Sequence, residues 1–232
     1  MPASPQTLLA ANLVALAYEA REIALLFVEA DVNALGCALE DQVMGVEDGS
    51  SVPFGLVVTH PQFGRICAFR GTADGVEALD DMDAVLEPCP LLDSITGAQW
   101  HRGFGRVFTS LTMPAGPFDL IAGHSLGCPL AAYACLSHGG GALVLIASPK
   151  PGNSALASAV AACAGQIASF ANVNDPVPRL PITVDWPWKF EDFQPIIHPT
   201  ELVPGSVSPA VPSDWLSSHS LASYQRLLQS QP

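Results

Sequence analysis

The sequence is poor in basic side chains. Its 232 residues include nine lysines and arginines against 22 aspartates and glutamates, which gives a formal net charge of −13 at pH 7. Such a charge opposes the approach of phosphate backbones and anionic bilayers at long range. We therefore expect no nucleic-acid partner.

The sequence also lacks a long uninterrupted apolar run and a basic leader. The most hydrophobic early segment, residues 8–28, is interrupted by Glu19, Arg21 and Glu22, so we do not expect a membrane span. No basic side chain precedes an apolar stretch in the first six residues, MPASPQ, which argues against a Sec signal peptide. We expect a cytoplasmic protein, or one exported by a route other than Sec.

Cysteine motifs are absent as well. The six cysteines stand mostly among apolar neighbours, with no C-x-x-C and no spacing typical of metal ligands. We interpret them as buried, reduced thiols. We expect neither a bound metal nor a cofactor.

Apolar side chains, by contrast, are abundant. They make up 49% of the sequence, whereas charged residues make up 13%, a balance typical of a chain with a large core. No linker or low-complexity segment divides the chain. We therefore expect one domain over residues 1–232.

Helix and strand patterns alternate along the chain. A helical pattern precedes a predicted hairpin, and the remaining patterns alternate between apolar strands and helices. The predicted helices cover residues 7–30, 73–87, 154–164 and 221–228, and the predicted strands cover 54–59, 65–69, 142–147, 166–172 and the vicinity of 194–197. This alternation indicates an α/β fold with a mostly parallel central sheet and helices on both faces.

The pentapeptide Gly123-His124-Ser125-Leu126-Gly127 stands between an apolar strand pattern and a helix pattern. A serine on such a sharp turn projects clear of the sheet, and the flanking glycines avoid Cβ clashes. The following helix directs its first N–H groups at any oxyanion formed beside the serine. Ser125 is therefore the candidate nucleophile, although a purely structural turn also fits these five residues alone.

A serine nucleophile needs a base and a carboxylate that orients the base, and α/β hydrolases carry them in the order Ser, Asp or Glu, His. Asp175 directly follows the strand predicted at 166–172, so we expect its carboxylate at the carboxyl end of that strand. His219 precedes the last predicted helix, on a loop. His198, in a proline-rich excursion, is the competing base.

The other candidate carboxylates have less favourable positions. Asp119 precedes the strand that leads to the serine, and Asp214 precedes the closing segment. Asp185 and Asp192 lie in irregular chain. We therefore prefer Asp175.

Six motifs occur in a fixed order along the chain. They are FRGT at 69–72, HxGF at 101–104, GHSLG at 123–127, ASPKPGN at 147–153, NDPVPRLP at 174–181, and His219 followed by Tyr224. Together they resemble the fungal-type, or class three, lipases and their bacterial and plant relatives. The resemblance covers about residues 54–224 and implies an α/β-hydrolase fold with a short lid at about residues 73–99.

The resemblance also implies a function and its residues. Ser125, Asp175 and His219 would form the catalytic triad, and the backbone N–H groups of Thr72 and Leu126 would form the oxyanion hole. The implied activity is that of a serine carboxylic-ester hydrolase, which cleaves acylglycerols or similar esters through an acyl-enzyme intermediate. An acyltransferase or phospholipase of the same fold, and a non-catalytic binding protein built on it, are the alternatives.

The chain departs from the family pattern in the elbow and in the lid. Cys128 and Pro129 replace a usual Gly and Ala, and Ala78 replaces a common lid tryptophan. Apolar residues at helical spacing form a short stripe in the predicted lid helix, namely Val76, Leu79, Met82 and Leu86. Because this stripe has no aromatic anchor, we expect modest interfacial activation, a preference for short to medium acyl chains and at most transient contact with a lipid interface.

Overall fold

The computed structural model describes residues 3–47, 49–72, 83–93, 96–181, 192–204 and 215–230. The helices are α1 (Pro5–Glu22), α2 (Leu25–Ala34), α3 (Arg102–Ser110), α4 (Gly127–His138), α5 (Ser154–Cys163), α6 (Trp215–His219) and α7 (Leu221–Ser230). The strands are β1 (Ala38–Glu47), β2 (Ser50–His60), β3 (Gly64–Phe69), β4 (Leu86–Pro88), β5 (Gln99–His101), β6 (Leu120–His124), β7 (Ala142–Ile146), β8 (Gln166–Asn172) and β9 (Thr200–Leu202).

The central sheet has seven strands in the order β1-β2-β3-β6-β7-β8-β9. The first three strands pair antiparallel, and every pairing from β3 to β9 is parallel. β4 and β5 form a separate antiparallel ribbon. The predicted α/β architecture with a mostly parallel sheet is therefore confirmed.

Alternate residues of the central strands enter two different cores. Along β6, Leu120 and Ala122 pack on one face with α1, α2 and α7, whereas Ile121 packs on the other face with α3, α4 and α5. Successive side chains of a strand point to opposite faces, so a strand covered on both faces must be apolar throughout. This explains the unbroken run ALVLI of β7.

The N-terminal region differs from its prediction in two ways. The single helix expected at 7–30 is interrupted after Glu22, and α2 buries only Val28 and Val32 while Phe27 stays exposed. The edge strand β1 was not predicted. Three polar residues in a row, Glu40, Asp41 and Gln42, interrupt its apolar pattern, and its pairing with β2 contains two register shifts, so it lacks the regular alternation that marks a strand.

Two further predictions are wrong in position. Gln194 makes only an isolated bridge to Gly152, and the edge strand of this region is β9, farther along the chain. Prolines at 195 and 199 lack the N–H that a sheet ladder requires, which explains the displacement. In the helix predicted at 73–87, residues 73–82 lie outside the described residues, but Leu86 and Glu87 belong to β4.

The cysteines and helices bear on two other predictions. All six cysteines are free thiols and five of them are buried, in agreement with the prediction of buried, reduced thiols. None of the helices in the described part of the chain combines the length and the apolar content that a membrane crossing requires.

Candidate active site

The turn between β6 and α4 holds Ser125 in a left-handed backbone conformation, with φ of 55°. The Ser125 N–H donates to the Ile146 carbonyl at 3.0 Å. A Cβ on Gly123 would lie 2.2 Å from the Gly127 oxygen, and a Cβ on Gly127 would lie 2.5 Å from the Phe69 oxygen. Both flanking positions therefore require glycine.

The departures from the family pattern in this turn fit its geometry. The carbonyl oxygens of Gly123 and Ile146 both accept from the Cys128 thiol, at 3.1 Å and 3.2 Å. Pro129 is the third residue of α4, where a backbone N–H has no helical partner to lose. Burial raises the pKa of the Cys128 thiol, so the thiol stays protonated and remains a donor.

Ser125, His219 and Asp175 form a continuous hydrogen-bonded chain. His219 Nε2 lies 2.9 Å from Ser125 Oγ, and His219 Nδ1 lies 2.8 Å from Asp175 Oδ2. The exposed fraction is 2% for Ser125, 8% for His219 and 2% for Asp175. A carboxylate oxygen only accepts, so Nδ1 carries the proton and Nε2 is left to accept from the serine hydroxyl. His219 is the last residue of α6 and does not lie on the loop that the sequence predicts.

The Asp175 carboxylate is fixed by two further donors. Its Oδ1 accepts from the Val177 N–H at 2.9 Å, and its Oδ2 accepts from the Tyr224 hydroxyl at 2.7 Å. The same hydroxyl accepts from the Asn172 N–H at 2.8 Å. Burial, and next the nearby Asp175 charge, hold the pKa of Tyr224 well above its usual value, so it remains a donor.

His124, inside the pentapeptide, holds the backbone of the base. Its Nε2 lies 2.9 Å from the His219 carbonyl and must donate, so its Nδ1 accepts from the Tyr18 hydroxyl at 2.8 Å. Burial, with a smaller contribution from His219, lowers the pKa of His124 well below its usual value. The ring is therefore neutral, as this pattern of one donor and one acceptor requires.

Tyr18 extends this network to the loop after β3. A Cβ on Gly71 would lie 2.5 Å from the Tyr18 hydroxyl and 2.9 Å from the Ser125 Cβ. The FRGT motif therefore places a glycine where the loop passes between α1 and the serine. Sequence reasoning missed Tyr18, because a contact across 106 residues leaves no local pattern.

A fully buried arginine fixes the same loop. Arg70 donates through Nε to the Pro53 carbonyl at 2.7 Å and through Nη1 to the Gly71 carbonyl at 2.8 Å. Its Nη2 lies 3.2 Å from Glu47 Oε1, and its guanidinium stands over the Phe54 ring at 4.4 Å. The peptide that precedes Thr72 is thereby held at its carbonyl oxygen.

A cavity of about 490 Å³ opens beside the serine. Thr72, which the sequence predicts as an oxyanion donor, lines it together with Ser125 and His219. Leu126, the other predicted donor, directly follows the serine and has a buried side chain. The remaining lining residues come from α1, His124, α6 and α7 and are Ala15, Tyr18, Glu19, His124, Leu216, Ser220, Leu221, Ala222 and Gln225.

The alternative base and the alternative carboxylates do not join the hydrogen-bonded chain or lie outside the described residues. His198 lines a second cavity of about 380 Å³, which Asp175 also lines, whereas Ser125 and His219 line the first cavity. Asp119 precedes β6 at the end opposite Ser125, where its carboxylate accepts from the Arg65 N–H at 2.8 Å.

Of the other three candidate carboxylates, Asp192 contacts Gln194, and Asp185 and Asp214 lie outside the described residues. Among the residues described, no group of three or more His, Cys, Asp or Glu side chains could hold a metal ion.

The sheet, the sharp turn after β6 and the chain Ser125-His219-Asp175 together have the arrangement of the α/β-hydrolase fold. No protein-family model and no curated protein matches the sequence. Solved structures do match. A triacylglycerol lipase from Penicillium expansum superposes with a TM-score of 0.58 at 19% identity, over 88% of this chain and 81% of that chain.

Two other solved structures give similar values. The N225Q mutant of MDLA from Penicillium cyclopium has a TM-score of 0.57 at 21% identity, over 88% of this chain and 79% of the other. Lipase II from Rhizopus niveus has a TM-score of 0.56 at 16% identity, over 75% of this chain and 71% of the other. The chain therefore has the fold of these fungal lipases, as the motif resemblance implies.

Proposed function

We propose that the protein is a serine carboxylic-ester hydrolase of the lipase or esterase type. The observation that carries this proposal is the buried hydrogen-bonded chain from Ser125 through His219 to Asp175. Ser125 and His219 also line a cavity. A nucleophile, a base within hydrogen-bond reach and a carboxylate that orients the base are the parts that acyl transfer requires.

The reaction would proceed in two halves. Ser125 Oγ attacks the ester carbonyl while His219 Nε2 takes the hydroxyl proton, and the imidazolium then gives that proton to the departing alcohol. Water, deprotonated by the same nitrogen, attacks the acyl-enzyme and releases the carboxylic acid and the free serine. The N–H groups of Thr72 and Leu126 would stabilise each oxyanion, with about 3 kcal/mol per donor as a typical contribution.

The net charge of the protein supports a narrower proposal about the substrate. A chain of net charge −13 is repelled by anionic interfaces, which favours esters that reach the protein dissolved in water. We propose short to medium acyl chains, only transient contact with lipid surfaces and weak interfacial activation. Rates with one ester measured across its solubility limit test this, and a steep rise once droplets form would contradict it.

The first test of the proposed function is Ser125→Ala, with Ser158→Ala as the control. Ser158 is exposed on α5 and bonds only within its own helix. With p-nitrophenyl esters of increasing acyl length, and with triacylglycerol and phospholipid, Ser125→Ala should retain less than about 1% of the turnover, because removal of a triad member typically lowers kcat by several orders of magnitude. The melting temperature should change little. Higher retained turnover would reject Ser125 as the nucleophile.

The second test distinguishes the two candidate bases and the type of acyl acceptor. His219→Ala should abolish turnover, whereas His198→Ala should retain most of it. The reverse result would move the base to His198. Product analysis in the presence of alcohols tests hydrolysis itself, since preferred transfer of the acyl group to an alcohol over water would indicate an acyltransferase.

A further inference from the structure

The cavity beside Ser125 is lined by His219 and by residues that come after it in the sequence. In ester cleavage, His219 Nε2 must deliver a proton to the alcohol oxygen, so that oxygen must come within hydrogen-bond distance of it. The alcohol part of the ester therefore extends past His219. The cavity is lined by the three residues that directly follow the base, Ser220, Leu221 and Ala222, and by Gln225 on the next turn of α7.

The opposite wall of the cavity belongs to α1 and carries a charge. Ala15, Tyr18 and Glu19 line it, and Asn12 Oδ1 accepts from Gln225 Nε2 at 3.0 Å, which holds α1 against α7. Among the described residues that line the cavity, Glu19 is the only one with a formal charge at neutral pH. Its carboxylate is therefore a charge that an alcohol group in the cavity would meet.

The arginine nearest to Glu19 in the sequence does not serve as its counterion. Arg21 Nε lies 2.9 Å from Glu47 Oε2, and Arg21 Nη1 lies 2.9 Å from Glu22 Oε1. Its guanidinium is thus committed to two other carboxylates. Because Glu19 is exposed, water and salt screen its field, so the expected effect on a bound charge is moderate.

We propose that this cavity binds the alcohol part of the ester and that Glu19 favours cationic over neutral, and neutral over anionic, alcohol groups. This inference rests on the proposed ester-hydrolase function. It assigns a substrate preference to a residue outside the hydrogen-bonded triad. A quaternary ammonium alcohol is one cationic class small enough for a cavity of about 490 Å³.

The test uses a pair of esters of nearly equal shape. Butyrylcholine carries a quaternary ammonium in its alcohol part, and 3,3-dimethylbutyl butyrate replaces that nitrogen with carbon. At low salt, Glu19→Gln should lower the ratio of kcat/KM values, choline ester over neutral ester, by roughly threefold to tenfold, as expected for a screened charge pair. Glu29→Gln, which removes an exposed carboxylate that does not line the cavity, should leave the ratio unchanged.

A second pair moves the charge to the acyl part. Ethyl 4-(trimethylammonio)butanoate and ethyl 5,5-dimethylhexanoate differ in the same way, and their ratio should not respond to Glu19→Gln. A response of this pair alone would show that the cavity binds the acyl group and would overturn the assignment. An unchanged choline ratio would overturn the role of Glu19.

The outcomes separate this inference from the proposal on which it rests. If the wild-type protein hydrolyses none of the four esters or the p-nitrophenyl esters, the ester-hydrolase function itself is rejected. If it hydrolyses the neutral esters and Glu19→Gln changes no ratio, only the alcohol-site inference is rejected. A wild-type choline ratio that falls as salt is raised, while the ratio of Glu19→Gln does not, would support the inference.

Discussion

The turn around Ser125 and the ribbon of β4 and β5 are held in different ways. The turn depends on backbone approaches that leave no room for a Cβ at Gly123 or Gly127. In the ribbon, β5 is tied to the rest of the protein, because the His101 N–H donates to the Pro151 carbonyl at 2.8 Å. β4 pairs with β5 and joins no other described strand.

Side chains reinforce the outer part of the ribbon only lightly. The Trp100 Nε1–H donates to Glu87 Oε1 at 3.1 Å, and Arg102 Nε donates to Asp83 Oδ2 at 2.7 Å, both in partly exposed positions. A substitution in the triad should therefore affect turnover, whereas one in the ribbon should affect stability. The following substitutions test this contrast.

The largest effect is expected for Asp175→Asn. The amide cannot hold the His219 Nδ1–H in the same way, so the ring loses its orientation and the imidazolium loses its counterion; a loss of about 10⁴ in kcat is typical of such a change. Asp31→Asn, on the exposed side of α2, is the control. Steady-state kinetics should show little change in KM, and retention of a tenth of kcat would contradict the orienting role.

The next effect concerns pH and the inner strand of the ribbon. Burial lowers the pKa of His101 to about 4. Because an unfolded histidine titrates near 6.5, the unfolded state binds more protons between these values, so stability is lost as the pH falls from about 6.5 to about 4. The contribution is about 3 kcal/mol at most.

His101→Asn tests this contribution. Asparagine still caps the start of α3 but does not titrate, so the free energy of unfolding in urea should fall less steeply between pH 7 and pH 4.5. The buried His124 gives a slope of the same sign, so a residual slope should remain. Parallel curves for the two proteins would show that His101 does not titrate as proposed.

A smaller effect is expected for Tyr224→Phe. The change removes one donor to Asp175 and leaves the Asn172 N–H without its acceptor, which should reduce kcat by about tenfold and stability by about 1–2 kcal/mol. Tyr133→Phe is a matched control, since its buried hydroxyl donates to the Pro151 carbonyl at 2.7 Å, away from the triad. Tyr133→Phe should lower stability and leave kcat intact, and equal kcat losses would mean that Tyr224 acts only through stability.

The smallest effect is expected in the ribbon, for Glu87→Gln. The amide oxygen can still accept from the Trp100 Nε1–H, so only the charge assistance of a partly exposed bond is lost. We expect a change in the free energy of unfolding of about 0.5 kcal/mol and kcat/KM within about twofold of wild type on soluble esters. A large loss of turnover would show that the ribbon takes part in catalysis.

The parts of the site that local sequence determines were the ones that could be predicted. A strand, a turn with two glycines and a helix mark Ser125, and a strand end marks Asp175, because each signal lies within a few residues. The contacts of Arg70 and Tyr18 could not be predicted, since their partners are remote in the sequence. Leu86 was misassigned to a helix because its spacing from three earlier apolar residues fits a helical period, whereas its pairing with His101 makes it part of a strand.

The first and last described helices meet across the active site, and this has a consequence for when the site can form. Asn12 and Gln225, 213 residues apart, are hydrogen-bonded, and the base reaches the serine across 94 residues. Contacts of such long range slow folding, because most of the chain must be ordered before they form. On a ribosome, α1 and the elbow emerge long before His219, so Ser125 is synthesised before its hydrogen-bond partner. Activity should therefore appear only after α7 has left the exit tunnel.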